Sequence, residues 1–476
     1  MNKEKILELL CDFLINKETV ITPDLVFENV TTKLQGAKKT DIVFYKLNPL
    51  DEKSLKDFKS RLAESSPGLL IINREAQSLN IANSLSIEAT QFLKAQKIIL
   101  DEIFPNKKKL KMVGVTGTNG KTTSVNLAMQ VSSLLGHKAF SIGTIGVQDV
   151  NGAIATDLES TTPSYVELRK LIFRFQDEYE VCFMEVSSHA LFQDRLFDTM
   201  LDAAAWTSFS QDHLDYHRNM EEYFKAKLLI EKKYLIPLAK LIIPNLEKDL
   251  FHNIEKSVPL NRFKIAKTLE QRGYGHSMEE RPLFYHSSYN QSNIEIALEL
   301  NSELFGEENL KKIPLKYIKT PAGRFSVVEL GADNMAIVDY AHTPDALINI
   351  GLAIKSAFPS HSLTVVFGCG GNRDKMKRPL MGKAVSEFAN KIIVTSDNPR
   401  DEAPEDIIID ILAGIKTGYE AVVDRKKAIH AALDSIGKKE IILIAGKGHE
   451  EYQEIKGVKH PFSDFEIVEK FKSGKK

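Results

Sequence analysis

An apolar run, Met112 to Val115, leads straight into Thr116-Gly117-Thr118-Asn119-Gly120-Lys121-Thr122-Thr123, and Ser124 to Leu135 continue with helical spacing. A strand that turns on glycines directly into a helix commits this part of the chain to an α/β layer architecture. Such a turn also suits phosphate. Glycines let the backbone approach an anion, N–H groups at the helix start point at it, and the helix dipole favours negative charge. Lys121 adds a cation at the outer phosphates and Thr122 a hydroxyl for Mg²⁺. The general spacing G-x-x-x-x-G-K-[ST] needs glycine at position 115, where Val115 stands, so what remains is the shorter G-x-x-G-K-T of Gly117 to Thr122.

Short apolar runs alternate with helical periods around this loop: Met112 to Val115, Ala139 to Ile145, Val181 to Val186, Ala203 to Thr207 and Leu241 to Ile243. The alternation predicts a mostly parallel sheet wrapped by helices. Residues 246 to 318 are charged and irregular, with one polar helix expected from Asn290 to Leu304. After Thr320-Pro321 a second series begins, Ala336 to Val338, Leu363 to Phe367, Lys391 to Val394, Ala421 to Val423 and Ile441 to Ile444, which predicts a Rossmann-like unit. Before residue 110 come weaker runs, Asp41 to Tyr45 and Gly68 to Ile72, after an amphipathic helix expected over Met1 to Glu18. The expected organisation is α/β with three domains: an N-terminal domain at 1–110, a central parallel-sheet domain at 111–318, and a C-terminal Rossmann-like domain at 319–476. A chain of 476 residues is long enough for about three domains.

Lys and Arg number 63 against 64 Asp and Glu, so no electrostatic case exists for a nucleic-acid or acidic-membrane partner. Cys11, Cys182 and Cys369 lack the paired spacing of a zinc site or a disulfide framework. No apolar run approaches the ~20 residues that span a bilayer, so no membrane insertion is expected, and a cytoplasmic monomer is the expectation.

The chemistry-bearing residues follow the predicted strands, where ligands sit in open parallel sheets. Glu185 ends one strand, and Asp212-His213-Leu214-Asp215-Tyr216-His217 follows the next. Carboxylates and imidazoles placed there suit Mg²⁺, which takes few protein ligands. In the last region, Gly370-Gly371-Asn372-Arg373-Asp374, Asp397-Asn398-Pro399-Arg400 and Gly446-Lys447-Gly448-His449-Glu450 each follow a strand. Arg373 and Arg400 offer forks for carboxylates and Glu450 accepts an ammonium group, a set matched to an amino acid with two acidic ends.

The loop Thr116 to Thr123 resembles that of the Mur ligases, ATP-dependent enzymes that add amino acids to the peptidoglycan precursor. Asp339-Tyr340-Ala341-His342-Thr343-Pro344 is similar to a segment those enzymes place beside the nucleotide, and Gly323-Arg324 to one that reaches the ATP phosphates. The resemblance runs from Met112 to the C-terminus. It implies ATP as substrate, held by Thr116, Gly117, Thr118, Asn119, Gly120, Lys121, Thr122, Thr123, Arg324, Asp339 and His342. It implies Mg²⁺ held by Thr122, Glu185, His213 and a carbamylated Lys227, with Lys121, Glu185, His213 and Lys227 as the catalytic set. It further implies Ser160, Thr161, Thr162, Ser187, Gln193 and Arg195 as contacts for a UDP-muramoyl dipeptide. The uridine domain's nearest match is Glu28 to Thr32 with Thr40-Asp41, without the serine and arginine of the family segment. The form Asp397-Asn398-Pro399-Arg400, with Arg373, Gly446 and Glu450, resembles members that add meso-diaminopimelate. Two alternatives stay open at this point: folylpolyglutamate synthase, which has a similar loop, and a nucleotide-gated binding protein that forms no bond.

Overall fold

A computed structural model of the chain describes residues 1–15, 25–47, 52–79, 81–155, 158, 160–245, 247–275, 283–310, 313–416 and 418–474. By packing, the chain divides into two compact units. The first unit contains Met1–Lys111, Pro163–Glu180 and Gln193–Thr199. Its sheet is parallel and runs in chain order, β1 (Asn29–Thr31), β2 (Asp41–Tyr45), β3 (Leu69–Asn73) and β4 (Ser84–Ile87). Both faces are covered, as continuous apolar strands require. Ile42, Phe44, Leu69 and Ile71 pack on one core, and Val43, Leu70 and Ile72 on another.

Pro163–Glu180 lies within the expected 111–318 region in sequence but packs in this first unit. The physical reason is its helix Tyr165–Phe175, whose Tyr165 and Val166 join the first core. Buried Arg169 donates to Asp101 Oδ1 at 2.7 Å and to Tyr165 Oη at 2.9 Å. The N-terminal helix covers Lys3–Leu10, capped by Asn2, whose side chain accepts from Lys5 N. Residues 16–18 of the expected helix lie outside the described residues.

The second unit carries two large sheets among the described residues. One has the order β12-β11-β10-β5-β9-β6-β7-β8, from β5 (Lys111–Thr116), β6 (Ala139–Gly143), β7 (Gly146–Asp149), β8 (Gly152–Ala155), β9 (Val181–Glu185), β10 (Ala203–Trp206), β11 (Leu241–Ile243) and β12 (Phe263–Ile265). Each expected run contains or forms a strand, with Ala139 to Ile145, Val181 to Val186 and Ala203 to Thr207 extending one or two residues past β6, β9 and β10. The antiparallel pair β7 and β8 was not expected, because half-exposed edge strands lack an apolar run.

The helix expected at Asn290 to Leu304 is present as Ser288–Phe305, but it is a core helix, buried along most of its length against the helix Lys121–Leu134. Its carboxylates are paired inside, while Asn290 Nδ2 and Asn301 Oδ1 are buried without a hydrogen-bond partner among the described residues. Glu295 accepts from Leu269 N, Glu299 pairs with Lys264 and Arg272, and Asn301 Nδ2 donates to Ala128 O.

The other sheet has the order β13-β14-β18-β15-β16-β17, from β13 (Ser326–Gly331), β14 (Asn334–Asp339), β15 (Ser362–Phe367), β16 (Lys391–Thr395), β17 (Tyr419–Val422) and β18 (Glu440–Ala445). All but the edge strand β13 run parallel, which is the Rossmann-like expectation. A small antiparallel hairpin, β19 (Tyr452–Ile455) and β20 (Val458–Pro461), stands apart from it.

Candidate functional site

The loop after β5 is shaped by close approach. A Cβ on Gly117, at φ +153°, would lie 1.9 Å from Thr207 Oγ1, so only glycine fits. Thr207 Oγ1 in turn donates to Thr116 O and Asn119 O, and Asn119 N donates to Ser208 Oγ. These bonds lock the turn to the end of β10. Gly120 is left-handed and no side chain caps the helix that follows, so the helix starts with N–H groups facing out of the loop. Lys121 Nζ folds back on Gly117 O and Thr118 O, at 2.8 Å each. Burial lowers its pKa, against the pull of Glu185 and Asp212.

Lys227, 1% exposed, also donates to Gly117 O at 2.8 Å, so two amines share one carbonyl. Desolvation first, and the neighbouring Lys121 second, push the Lys227 amine well below the usual lysine range. Glu185 at the end of β9 is equally buried, and accepts from Thr144 N at 2.8 Å and Thr144 Oγ1 at 3.2 Å. Gly143 makes this possible, because a Cβ there would meet Glu185 Oε1 at 2.2 Å. His213, left-handed at φ 55°, places Nε2 3.4 Å from Asp212 Oδ2. Desolvation keeps this imidazole neutral despite Asp212, and the nearby cations hold Asp212 ionised against its own burial.

Thr162 Oγ1 donates to Glu185 O at 2.9 Å and accepts from Ser187 N at 3.0 Å, while Thr161 Oγ1 lies 3.2 Å from Thr144 Oγ1. Ser160 Oγ donates to Thr162 O. Thr161, Thr162 and Ser187 are thus gathered beside Glu185. Gln193 and Arg195 belong to the first unit, where Arg195 donates through Nε and Nη2 to Gln193 Oε1. The segment matched to the uridine domain is also there, with Asn29 Nδ2 donating to Asp41 Oδ1 and Lys170 Nζ to Asn29 Oδ1.

Arg324 Nη2 reaches Thr122 Oγ1 at 3.2 Å and its guanidinium stacks 4.3 Å from the Tyr340 ring centre. Asp339 is buried and accepts from Phe325 N and Ala341 N, so it holds two backbone segments together, and burial raises its pKa. His342 Nδ1 bonds Tyr340 O, and burial lowers its pKa to about 4. A cavity of about 430 Å³ between Asn119, Phe284, Tyr289, Asn293 and Ile350 adjoins the loop and includes Arg324, Asp339 and His342.

A second cavity, of about 280 Å³, joins the two sheets' motifs. Its lysines and arginines are Lys121, Lys227, Arg324, Arg373, Lys377 and Arg400, and its carboxylates include Glu185, Asp212, Asp397 and Glu450. Thr118, Gly120, Thr122, Thr161, Ser187, His213, Asn398 and Gly446 complete most of the expected set on its walls. Pro399 is buried behind it, its carbonyl packed so closely on Gly371 that a Cβ there would lie 1.9 Å away. Arg373 is exposed. Arg400 and Glu450 differ from bare ligand groups. Arg400 Nε donates to Glu454 Oε2, and Glu450 Oε2 accepts from Lys447 Nζ and Asn398 Nδ2.

Several lining or supporting residues were not anticipated from sequence. Lys377 sits in the cavity wall, and Thr144 orients Glu185. Arg425, fully buried, donates to Ala445 O and pairs through two nitrogens with Asp464 beneath the loops after β16 and β18. A lone Arg or Lys on a helix reads as a solvated face, so sequence offers no signal for these.

Comparisons with known proteins match the regions of the two large sheets. The profile of the Mur ligase middle domain matches residues 115–312, and that of the Mur ligase, glutamate ligase domain matches residues 323–448. The Bacteroides fragilis protein named UDP-N-acetylmuramoyl-L-alanyl-D-glutamate--2,6-diaminopimelate ligase is 38% identical over 382 residues, 76% of this chain and 77% of that protein. A solved structure of a protein bearing the same name is 28% identical, with a TM-score of 0.60 over 98% of both chains. MurF ligase from Thermotoga maritima, in complex with ADP, shares the fold at a TM-score of 0.60 and 14% identity, over 95% of this chain and 99% of that one. With its loop, its paired sheets and relatives of this identity over three-quarters of its length, the chain belongs to the Mur ligase family and has that family's three-domain α/β fold.

Proposed function

We propose that this protein is the ATP-dependent ligase that joins meso-diaminopimelate to UDP-N-acetylmuramoyl-L-alanyl-D-glutamate in peptidoglycan precursor synthesis. The observation that carries the reading is the 280 Å³ cavity, where the phosphate loop and Glu185 share one space with Arg373, Asn398, Arg400 and Glu450. The terminal carboxylate of the dipeptide attacks the γ-phosphorus of ATP, giving an acyl phosphate and ADP. The amine of diaminopimelate then displaces phosphate, forming the amide and releasing a proton. Lys121 and Arg324 neutralise charge on the transferred phosphoryl group, and the loop N–H groups cradle the remaining phosphates. Thr161, Thr162 and Ser187 orient the dipeptide end, while Arg373, Arg400 and Glu450 orient the amino acid.

Mg²⁺ fits the donor chemistry present. Among the described residues no three His, Cys, Asp or Glu side chains form a metal cluster, but this ion is commonly bound by one or two carboxylates plus substrate phosphates. Thr122 and Glu185, with His213, are the groups that would hold it, and it would supply charge neutralisation at the phosphates. The proposed domains are 1–110 for the UDP-substrate, 111–318 for ATP and 319–476 for the amino acid, apart from Pro163–Glu180 and Gln193–Thr199, which pack in the first unit. The protein acts as a cytoplasmic monomer, a setting consistent with its free cysteines. ADP release that needs both the muramoyl dipeptide and meso-diaminopimelate tests the reaction, and release with folate and glutamate instead would point to folylpolyglutamate synthase. Nucleotide binding without any product would leave the binding-protein alternative.

Two further outcomes are expected. Lys227 carries a carbamate, supported by the family resemblance and by its burial beside Lys121, which favours the neutral amine that takes up CO₂ and sets a cation beside the resulting anion. Labelled ¹³C-bicarbonate should give a carbamate carbon signal in the wild type that Lys227→Ala lacks, and added acetate should restore part of that variant's activity. Full activity in CO₂-depleted buffer with no such signal would remove the proposal. The wild type should also prefer meso-diaminopimelate over L-lysine by at least about tenfold to a hundredfold, since a charged hydrogen bond contributes about 1.5–3 kcal/mol and each ~1.4 kcal/mol is a factor of ten. Arg400→Ala should lose most of that preference. Equal kcat/KM for the two amino acids in the wild type would sink this assignment.

A further inference from the structure

Arg400 is anchored at both its backbone and its side chain by one hairpin. Its backbone is left-handed, at φ 53°, and its N–H donates to Glu454 O at 3.1 Å while its carbonyl accepts from Lys456 N at 2.8 Å. Its guanidinium donates through Nε to Glu454 Oε2 at 3.1 Å and through Nη1 to Gly371 O at 2.8 Å. Glu454 is fixed in turn, because its N–H donates to Asn398 Oδ1 at 2.9 Å, and Asn398 Nδ2 donates to Glu450 Oε2 at 2.8 Å. Arg400 lines the cavity, whereas Glu454 is not among its lining residues.

We propose that Glu454 is a positioning residue that sets amino-acid specificity, holding the Arg400 guanidinium by its Nε edge, beside Gly371 O on Nη1, so that its remaining N–H groups are presented to the cavity. The inference rests on the ligase reading above. Arginine is long and flexible, and a fork free to turn must be ordered each time a carboxylate binds. Ordering it beforehand lowers that cost for a ligand whose far end carries a carboxylate, which is a gain in affinity for meso-diaminopimelate and not for L-lysine. The work of Glu454 is therefore to accept one hydrogen bond in a fixed place. Its negative charge is dispensable, and it partly offsets the charge that Arg400 offers to the ligand.

The test compares wild type, Glu454→Leu and Glu454→Gln in the full chain, with meso-diaminopimelate and L-lysine as alternative substrates. Glu454→Leu is expected to raise the KM for meso-diaminopimelate by about tenfold while kcat changes less than about threefold and the KM for ATP stays constant. Its preference over L-lysine should fall by a similar factor. Glu454→Gln should recover most of the lost affinity, because its Oε1 accepts the same Nε–H. The proposal is overturned by an unchanged KM in Glu454→Leu, by Glu454→Gln as poor as Glu454→Leu, or by a parallel rise in the KM for ATP, which marks general damage. A wild type that forms no product from meso-diaminopimelate overturns the ligase reading itself, a result read before any variant is compared.

Discussion

Replacing Lys121 with alanine is expected to lower kcat by about a thousandfold while leaving the fold intact, in line with the loss of one charge-stabilising group in phosphoryl transfer. The side chain is half-buried, but its hydrogen bonds among the described residues go to the carbonyls of Gly117 and Thr118, and none of the core clusters includes it. Its removal therefore creates no cavity in a core. It removes a cation at the helix start where the phosphates sit in the proposed complex. The check is steady-state ADP release beside circular dichroism and ATP affinity. A drop in kcat with native ellipticity is the expected pattern, and wild-type turnover in Lys121→Ala would end the phosphate-loop assignment.

Asp464→Ala is expected to destabilise the six-stranded sheet by about 3–5 kcal/mol, the range for breaking a buried ion pair by removing one partner. Asp464 and Arg425 are both fully buried, with Nε to Oδ1 at 2.8 Å and Nη2 to Oδ2 at 2.7 Å. The arginine left behind keeps its hydrogen bonds to two carbonyls, Ala445 O and Ser396 O, with no carboxylate among the described residues hydrogen-bonded to it. Both carbonyls sit where β16 and β18 hand over to the Asp397 and Gly446 loops, so the damage should reach the amino-acid end of the cavity. Hydrogen exchange of β18 amides in denaturant titration measures it. The single tryptophan, Trp206, lies in β10 of the other sheet, so its fluorescence does not report on β18 directly. Exchange rates unchanged from wild type would show that the pair contributes nothing there.

The parts of the site that were legible in sequence are those where chemistry and local structure coincide. Gly117 to Thr122 is readable because a tight turn, an uncapped helix start and a lysine must be contiguous to bind phosphate, and the structure keeps them so. Glu185, Asp397 and Gly446 were readable for a related reason, since each stands where an apolar run stops and a parallel sheet puts its ligand-facing loops. Burial, in contrast, follows from what packs alongside. Ser288–Phe305 looked polar by composition, yet it is a core helix, because Arg272, Lys264 and the Leu269 backbone N–H, all distant in sequence, pair with its carboxylates.

By itself, then, the sequence determined the strand-and-helix alternation, the phosphate loop and the three motif ends of the second sheet, since each depends on neighbours a few residues away. Only the tertiary structure decided that Lys227 and Lys121 share the Gly117 carbonyl, that Lys377 joins the cavity wall, and that Glu454 holds Arg400. It also decided that Pro163–Glu180 packs with the first unit. The physical reason is common to all four: the partners are brought together by strand order and packing, and a hydrogen bond between residues 54 or 110 positions apart leaves no periodic trace in the chain.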